Sequence, residues 1–154
     1  MLIPVYRSQT HKVESLPLED YVRGVVAAEM PLEFEVEALK AQAIAARTYL
    51  IRRLQDRDFS SVPVKEAWIT DTVAHQAFIS EDELRRKLSA DEQAAYFAKL
   101  NRAVEETKGQ IITYEGKPIQ AFFFLHKQRV YGKCRRLLGR IHPLSAQCAK
   151  PLGP

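Results

Sequence analysis

The chain has 154 residues, 46% hydrophobic and 27% charged, with a formal net charge of +4. That is long enough for one globular domain with its own core, and no run of 18 apolar residues exists to cross a bilayer as a helix. The charge is uneven: seven of the 23 basic residues lie in 125–154, which holds no acidic residue, leaving 16 basic against 19 acidic in the first 124. A basic tail can mark nucleic-acid or anionic-membrane binding. No aromatic platform accompanies this one, which argues against nucleic acid.

Leu2–Tyr6 and Lys12–Ser15 alternate as short strands joined through Ser8–His11. Pro17 suits an early helical position, and Glu19 and Asp20 suit the first turn. Apolar residues then recur at Leu18, Tyr21, Val22 and Val25, a helical period. Glu29 falls seven residues after Val22 and continues the same stripe. Pro31 ends the helix, because the residue before a proline is pushed out of the α region. Glu29 therefore sits in the last turn, on the apolar side. There it faces the negative end of the helix dipole and apolar neighbours, Val25, Val26 and Met30, which both favour the protonated acid. A carboxyl that keeps its proton is what a general acid needs. The alternative is a structural helix-end glutamate paired with Arg23 or Lys40. Glu19 is the rival acid, but at a helix N-terminus it reads as structural.

A second helix is expected over about Glu33 to Leu54. Alanines at 38, 41, 43, 45 and 46 make it thin enough for another backbone to approach closely. Gln42 shares a face with Ala38, Ala45 and Tyr49, whereas Glu33, Lys40 and Arg47 lie roughly opposite. A buried amide on a small-residue face must find partners or cost about 1–3 kcal/mol. Asp56–Val64 reads as a loop, and His75 beyond it as a surface residue. Ser80-Glu-Asp-Glu83 and Ser89-Ala-Asp-Glu92 both match the capping box and start two short helices. That region reads as an insertion decorating the site, followed by a third helical piece from Ala103 to Lys108. Gln110–Tyr114 and Lys117–Phe123 form a hairpin about Glu115–Gly116. The fold class is α+β: a central helix pair packed with short hairpins.

The run LEDYVRGVVAAEMP followed by FEVEALKAQAIAARTY resembles the signature of the stage II sporulation protein D (SpoIID/LytB) family. The likeness covers about Val5 to Phe123. It implies a lytic transglycosylase that cuts peptidoglycan glycan strands during engulfment of the forespore or related wall remodelling. In that resemblance the glutamate of the AAEMP segment, Glu29, is the single catalytic acid/base. Gln42, Lys40 and Arg47 become candidate substrate-binding or supporting residues. The family's Asp-x-x-x-x-Gln-x-aromatic segment falls on Asp71, Gln76 and Phe78, with Asp71 equally readable as a loop residue capping a turn. Some members carry zinc; the scattered His11, His75, His126 and His142 and the tail cysteines Cys134 and Cys148 supply no such ligand set, so neither metal nor cofactor is expected. The implied partners are glycan strands, with other sporulation wall hydrolases and membrane-anchored engulfment proteins. The opening MLIPVYRSQT lacks an export signal. The full-length form is therefore expected to be extracytoplasmic, membrane-anchored or secreted, and this chain a fragment of it. The LytB side of the name offers the alternative of a non-catalytic wall-binding or amidase-activator module.

The likeness stops near Phe124. The family's serine- and threonine-rich continuation is replaced by a basic segment over residues 125–154. Advancing the reading of suitable codons by one nucleotide restores family-like text. That segment is therefore expected to be a frameshift product outside the domain of residues 1–124, and the truncated chain to be inactive if the lost segment is required.

Overall fold

A computed structural model describes residues 1–31 and 33–122. Strand β1 (Leu2–Arg7) turns back into β2 (Lys12–Pro17) with register Leu2↔Pro17 through Arg7↔Lys12. His11 adopts φ 55° in the turn, and its N–H donates to the Arg7 carbonyl. Alternation puts Ile3 and Val5 inward, both fully buried. Pro17 closes β2 and caps the next helix rather than lying within it.

Helix α1 (Leu18–Glu29) buries Tyr21, Val22, Val25 and Val26. Met30 is extended, with φ −113° and ψ 127°, as a residue before proline should be. Helix α2 (Val36–Asp56) starts three residues later than expected and runs two further, ending at left-handed Arg57. Two faces of α2 are covered. Leu39, Ala43, Ala46 and Leu50 form one buried stripe, and Gln42, Arg47, Thr48 and Arg53 are buried beside it. The sequence placed Arg47 opposite Gln42, and it does lie on another side, but that side is buried too.

Strand β3 (Ile69–Thr70) lies beyond the expected Asp56–Val64 loop, in a stretch where the sequence signals no element. It pairs parallel with β1, Val5↔Ile69 and Tyr6↔Thr70, giving sheet order β2-β1-β3. The connection between the two parallel strands thus runs through β2 and the helix pair. Two residues of strand carry too little periodicity to be seen in sequence.

Helices α3 (Glu81–Lys87) and α4 (Ala90–Glu106) both start at the expected capping boxes, on Ser80 with Glu83 and on Ser89 with Glu92. Helix α4 is longer than expected and absorbs most of the separate piece over Ala103–Lys108. Nor is it decoration: Tyr96, Leu100, Ala103 and Val104 are buried in the same core as α1 and α2. The Tyr96 hydroxyl donates to the Met30 carbonyl at 3.2 Å, pinning the corner between α1 and α2. Strands β4 (Thr113–Tyr114) and β5 (Lys117–Pro118) form the hairpin about Glu115–Gly116, where both residues have positive φ. The hairpin leans on α2. Thr48 Oγ1 accepts from the Ile112 N–H at 2.9 Å, and Arg52 donates to the Pro118 carbonyl at 2.8 Å. The described residues form an α+β unit, and none of their helices is long and apolar enough to cross a membrane. The basic segment and its cysteines lie outside the described residues.

Candidate functional site

Glu29 is the last residue of α1, partly buried, with Pro31 two residues beyond it. Its Oε1 accepts the backbone N–H of Ala77 at 3.3 Å. Among the described residues no other hydrogen bond or ion pair reaches the carboxylate. Neither expected alternative partner engages it: Arg23 pairs with Asp20 at 3.0 Å, and Lys40 with Glu37 and Glu106 at 2.8 and 2.5 Å. Among the described residues the carboxyl is thus oriented by one amide and not neutralised by a cation.

The amide comes from a strap, residues 71–79, laid across α1. Close approach is permitted by Gly24, where an added Cβ would meet the Phe78 ring at 2.2 Å. The Ile79 N–H donates to the Gly24 carbonyl at 3.2 Å. Phe78 stacks on Tyr21, with ring centroids 5.7 Å apart and 4° between planes, and the Arg7 guanidinium lies 4.7 Å from the ring centroid. The Tyr21 hydroxyl donates to Gln76 Oε1 at 2.9 Å, and Gln76 Nε2 donates to the Ala46 carbonyl at 3.4 Å. Gln76 therefore ties the strap to both helices. Burial pushes the Tyr21 hydroxyl pKa well above its ordinary value, with further upward contributions that include the nearby Glu29 charge, so Tyr21 serves as a donor.

Asp71 starts the strap. It accepts the Ser8 N–H at 3.0 Å and pairs with Arg7 at 3.2 Å, with its side chain 5% exposed. Arg7 also reaches Glu83 at 2.7 Å. Burial alone would raise the Glu83 pKa. The Ser80 N–H and hydroxyl and the Arg7 guanidinium outweigh it and pull the carboxyl down to about 2. Asp71 thus fastens the strap to the β1–β2 turn.

Gln42 is 3% exposed, and its Oε1 has no hydrogen-bond partner among the described residues. Arg47 is 1% exposed and chelates Glu19 through Nε and Nη2 at 3.2 and 2.6 Å, while Nη1 donates to the Gln110 carbonyl at 3.0 Å. It joins α1, α2 and the segment leading to β4, and Glu19 is structural as the sequence indicated. Lys40 cross-links α2 to α4 outside the core; hydrogen bonding to Glu106 and Glu37 raises its pKa. Of the residues singled out from sequence, Gln76 and Asp71 share the strap that touches Glu29. The contacts of Lys40 and Arg47 lead elsewhere. Sequence reasoning missed the Ala77 amide, which carries no side-chain signal. Tyr21 is the core residue its place on the apolar stripe indicated, and its hydroxyl adds the bond to Gln76.

Two clefts flank α1. One of about 350 Å³ is lined by Arg23, Gly24, Ala27 and Phe97 among others, and one of about 560 Å³ by Arg7, Ala28, Pro31, Arg86 and Lys87 among others. They share Ala27, Phe78, Ile79 and Leu84, and Glu29 lines neither. Ala28 and Met30, the chain neighbours of Glu29, border the larger one. Among the described residues no group of three His, Cys, Asp or Glu side chains is placed to hold a metal ion.

A sequence model of the family described as Stage II sporulation protein (SpoIID) matches residues 6–114. The chain is 48% identical over 122 residues to Stage II sporulation protein D of Bacillus amyloliquefaciens, and 43% identical over 122 residues to that of Bacillus subtilis (strain 168). Each match covers 79% of this chain and 35% of the relative, so the chain spans about a third of their length. It is also 36% identical over 102 residues to the amidase enhancer of Bacillus subtilis (strain 168), covering 66% of this chain and 11% of that protein. On these matches, the chain belongs to the SpoIID family of stage II sporulation proteins.

Proposed function

We propose that this domain cleaves peptidoglycan glycan strands as a lytic transglycosylase in sporulation, with Glu29 as its single acid/base. The observation that carries the reading is one carboxylate at a helix end, oriented by a backbone amide and free of any cation among the described residues. Two-carboxylate glycosidases place an acid and a base or nucleophile on opposite sides of the bond. One carboxyl suffices when the nucleophile belongs to the substrate. Glu29 donates its proton to the departing glycosidic oxygen as the C1–O bond breaks. The 6-hydroxyl of the N-acetylmuramic acid closes on C1, and the Glu29 carboxylate takes the hydroxyl proton. The carboxyl is regenerated, no water is consumed, and the product is a 1,6-anhydro end.

The sporulation role is supported by the family and by the two relatives named Stage II sporulation protein D. A wall substrate makes the full-length protein extracytoplasmic, and its partners are glycan strands and the hydrolases that work on them. Gln42, whose buried oxygen has no hydrogen-bond partner among the described residues, is the residue we assign to a sugar hydroxyl or amide; Gln76 and Asp71 support the strap.

The likeness to the amidase enhancer favours a second reading, a module that binds wall and activates another hydrolase without cutting. Digestion of glycan strands stripped of stem peptides, followed by mass analysis, separates the two. Anhydro-muramyl ends are expected, lowered about 10²–10⁴-fold by Glu29→Gln. Binding without such ends would establish the module reading, and unimpaired cleavage by Glu29→Gln would remove Glu29 from the mechanism.

A further inference from the structure

His75 was expected at the surface. It is partly buried where three segments meet. Its Nε2 lies 3.1 Å from the carbonyl oxygen of Ser60, in the loop after α2. A carbonyl only accepts, so Nε2 carries a hydrogen. Its Nδ1 lies 3.3 Å from the Thr70 backbone nitrogen and 2.7 Å from Thr70 Oγ1. The backbone N–H only donates, so Nδ1 carries none. These partners assign the neutral Nε2–H tautomer, with both ring nitrogens in use.

The charged groups facing the ring are Arg53 from α2 and Asp58 from the loop. Arg53 donates to the same Ser60 carbonyl at 3.1 Å and reaches Asp58 at 3.4 Å, and Asp58 in turn accepts the Ser60 N–H and hydroxyl. The environment around His75 is thus built and mostly satisfied. Burial holds the ring's pKa below its ordinary value and Arg53 reinforces this, against the Ser60 carbonyl and Asp58.

The ring joins β3 and the loop after α2 to the strap. One residue further on, Gln76 bonds Tyr21, and the next residue, Ala77, donates to Glu29. We propose that His75 is a positioning residue: in its neutral form it clasps the strap and so fixes the Ala77 N–H on the Glu29 carboxylate. The proposal rests on the reading of Glu29 as the acid/base only for its effect on cleavage.

Protonating Nδ1 turns an acceptor into a donor. Thr70 Oγ1 can rotate to accept it, but the Thr70 N–H then points at another N–H, and a second positive charge stands beside Arg53. The clasp therefore loosens as pH falls through the His75 titration.

The test is nitrogen-edited NMR of the whole chain from pH 8 to pH 5, with glycan cleavage followed over the same range. The wild type should show the Nε2–H tautomer, and the Ala77 amide should shift with the His75 midpoint. Glu29→Gln removes the titration of Glu29 itself and should leave that step in place. His75→Ala should lower exchange protection of the Ala77 amide, and cleavage, about tenfold. His75→Asn offers a non-titrating oxygen at the Nδ1 position; it should recover most of that loss and abolish the pH step in both readouts. An Ala77 amide indifferent to the His75 titration, an Nδ1–H tautomer, or an asparagine variant no better than alanine overturns the clasp. An amide that follows His75 while no anhydro ends form leaves the clasp standing and removes the catalytic reading of Glu29 instead.

Discussion

Replacing Gly24 by alanine probes how the strap is seated. The new Cβ would stand 2.2 and 2.6 Å from two carbons of the Phe78 ring and 2.7 Å from the Ile79 carbonyl oxygen. Ordinary carbon contacts lie near 3.5–4.0 Å, so the ring must withdraw by about 1.5 Å. It is not free to do so, being stacked on Tyr21 and lying beneath the Arg7 guanidinium. Losing the ring pair costs about 0.5–1.5 kcal/mol, the cation contact about 0.5–1, and the Ile79–Gly24 hydrogen bond about 0.5–1.5. Alanine returns about 1 kcal/mol through better helix propensity. The net is a destabilisation of about 0.5–3 kcal/mol, or roughly 2–12 °C in Tm for a domain of this size. Thermal and urea melts measure it, and exchange of the Ala77 amide reports whether the strap has lifted from Glu29. A variant as stable as the wild type, with Ala77 still protected, would refute the idea that absence of a side chain at this position seats the strap.

Glu19→Gln leaves Arg47 buried without its counter-charge. Because Glu19 is 18% exposed, we expect a loss of about 2–4 kcal/mol, below that of a fully buried pair; a urea-melt loss under about 0.5 kcal/mol would show that the pair is not coupled. Glu83 ties Arg7 to the start of α3 with its pKa held at about 2, below its ordinary value, so its contribution is complete above about pH 4.5 and disappears as pH falls towards 2. Allowing for its partial exposure, that contribution is on the order of 2 kcal/mol. Stability measured from pH 6 to pH 2 should fall less steeply in Glu83→Gln, and parallel curves would count against the Arg7–Glu83 link.

The elements that sequence made legible announce themselves locally. Pro31 fixes the end of α1 within two residues, and the stripe from Tyr21 to Val26 fixes its buried face. Two Ser-x-x-Glu boxes mark where α3 and α4 begin, because both partners of each box lie within one helical turn. What escaped depends on distant residues. Strand β3 exists only because β1 offers it an edge, and Thr70 alone says nothing of that. Arg47 reads only as a residue opposite Gln42 and a candidate supporting group, because Glu19 and the Gln110 carbonyl that hold it are 28 and 63 positions away. The candidate site divides the same way. Glu29 stood out as a charge on an apolar stripe, whereas its donor is a main-chain amide of an alanine 48 positions away. His75 was passed over because a lone histidine in a polar stretch gives no sign of a carbonyl beside one nitrogen and an amide beside the other.

The parallel pairing of β1 with β3 also sets an order of events during synthesis. On the ribosome the glutamate emerges before the strap, and its helix can coil as soon as the hydrophobic stripe has neighbours. The amide that orients it belongs to a later stretch, which is seated only when Ile69 and Thr70 find Val5 and Tyr6 and when Glu83, 76 residues after Arg7, has closed on it. Each such closure carries an entropic cost that grows slowly with the length spanned. A nascent chain halted before that stretch appears would hold the Glu29 carboxylate without its orienting donor.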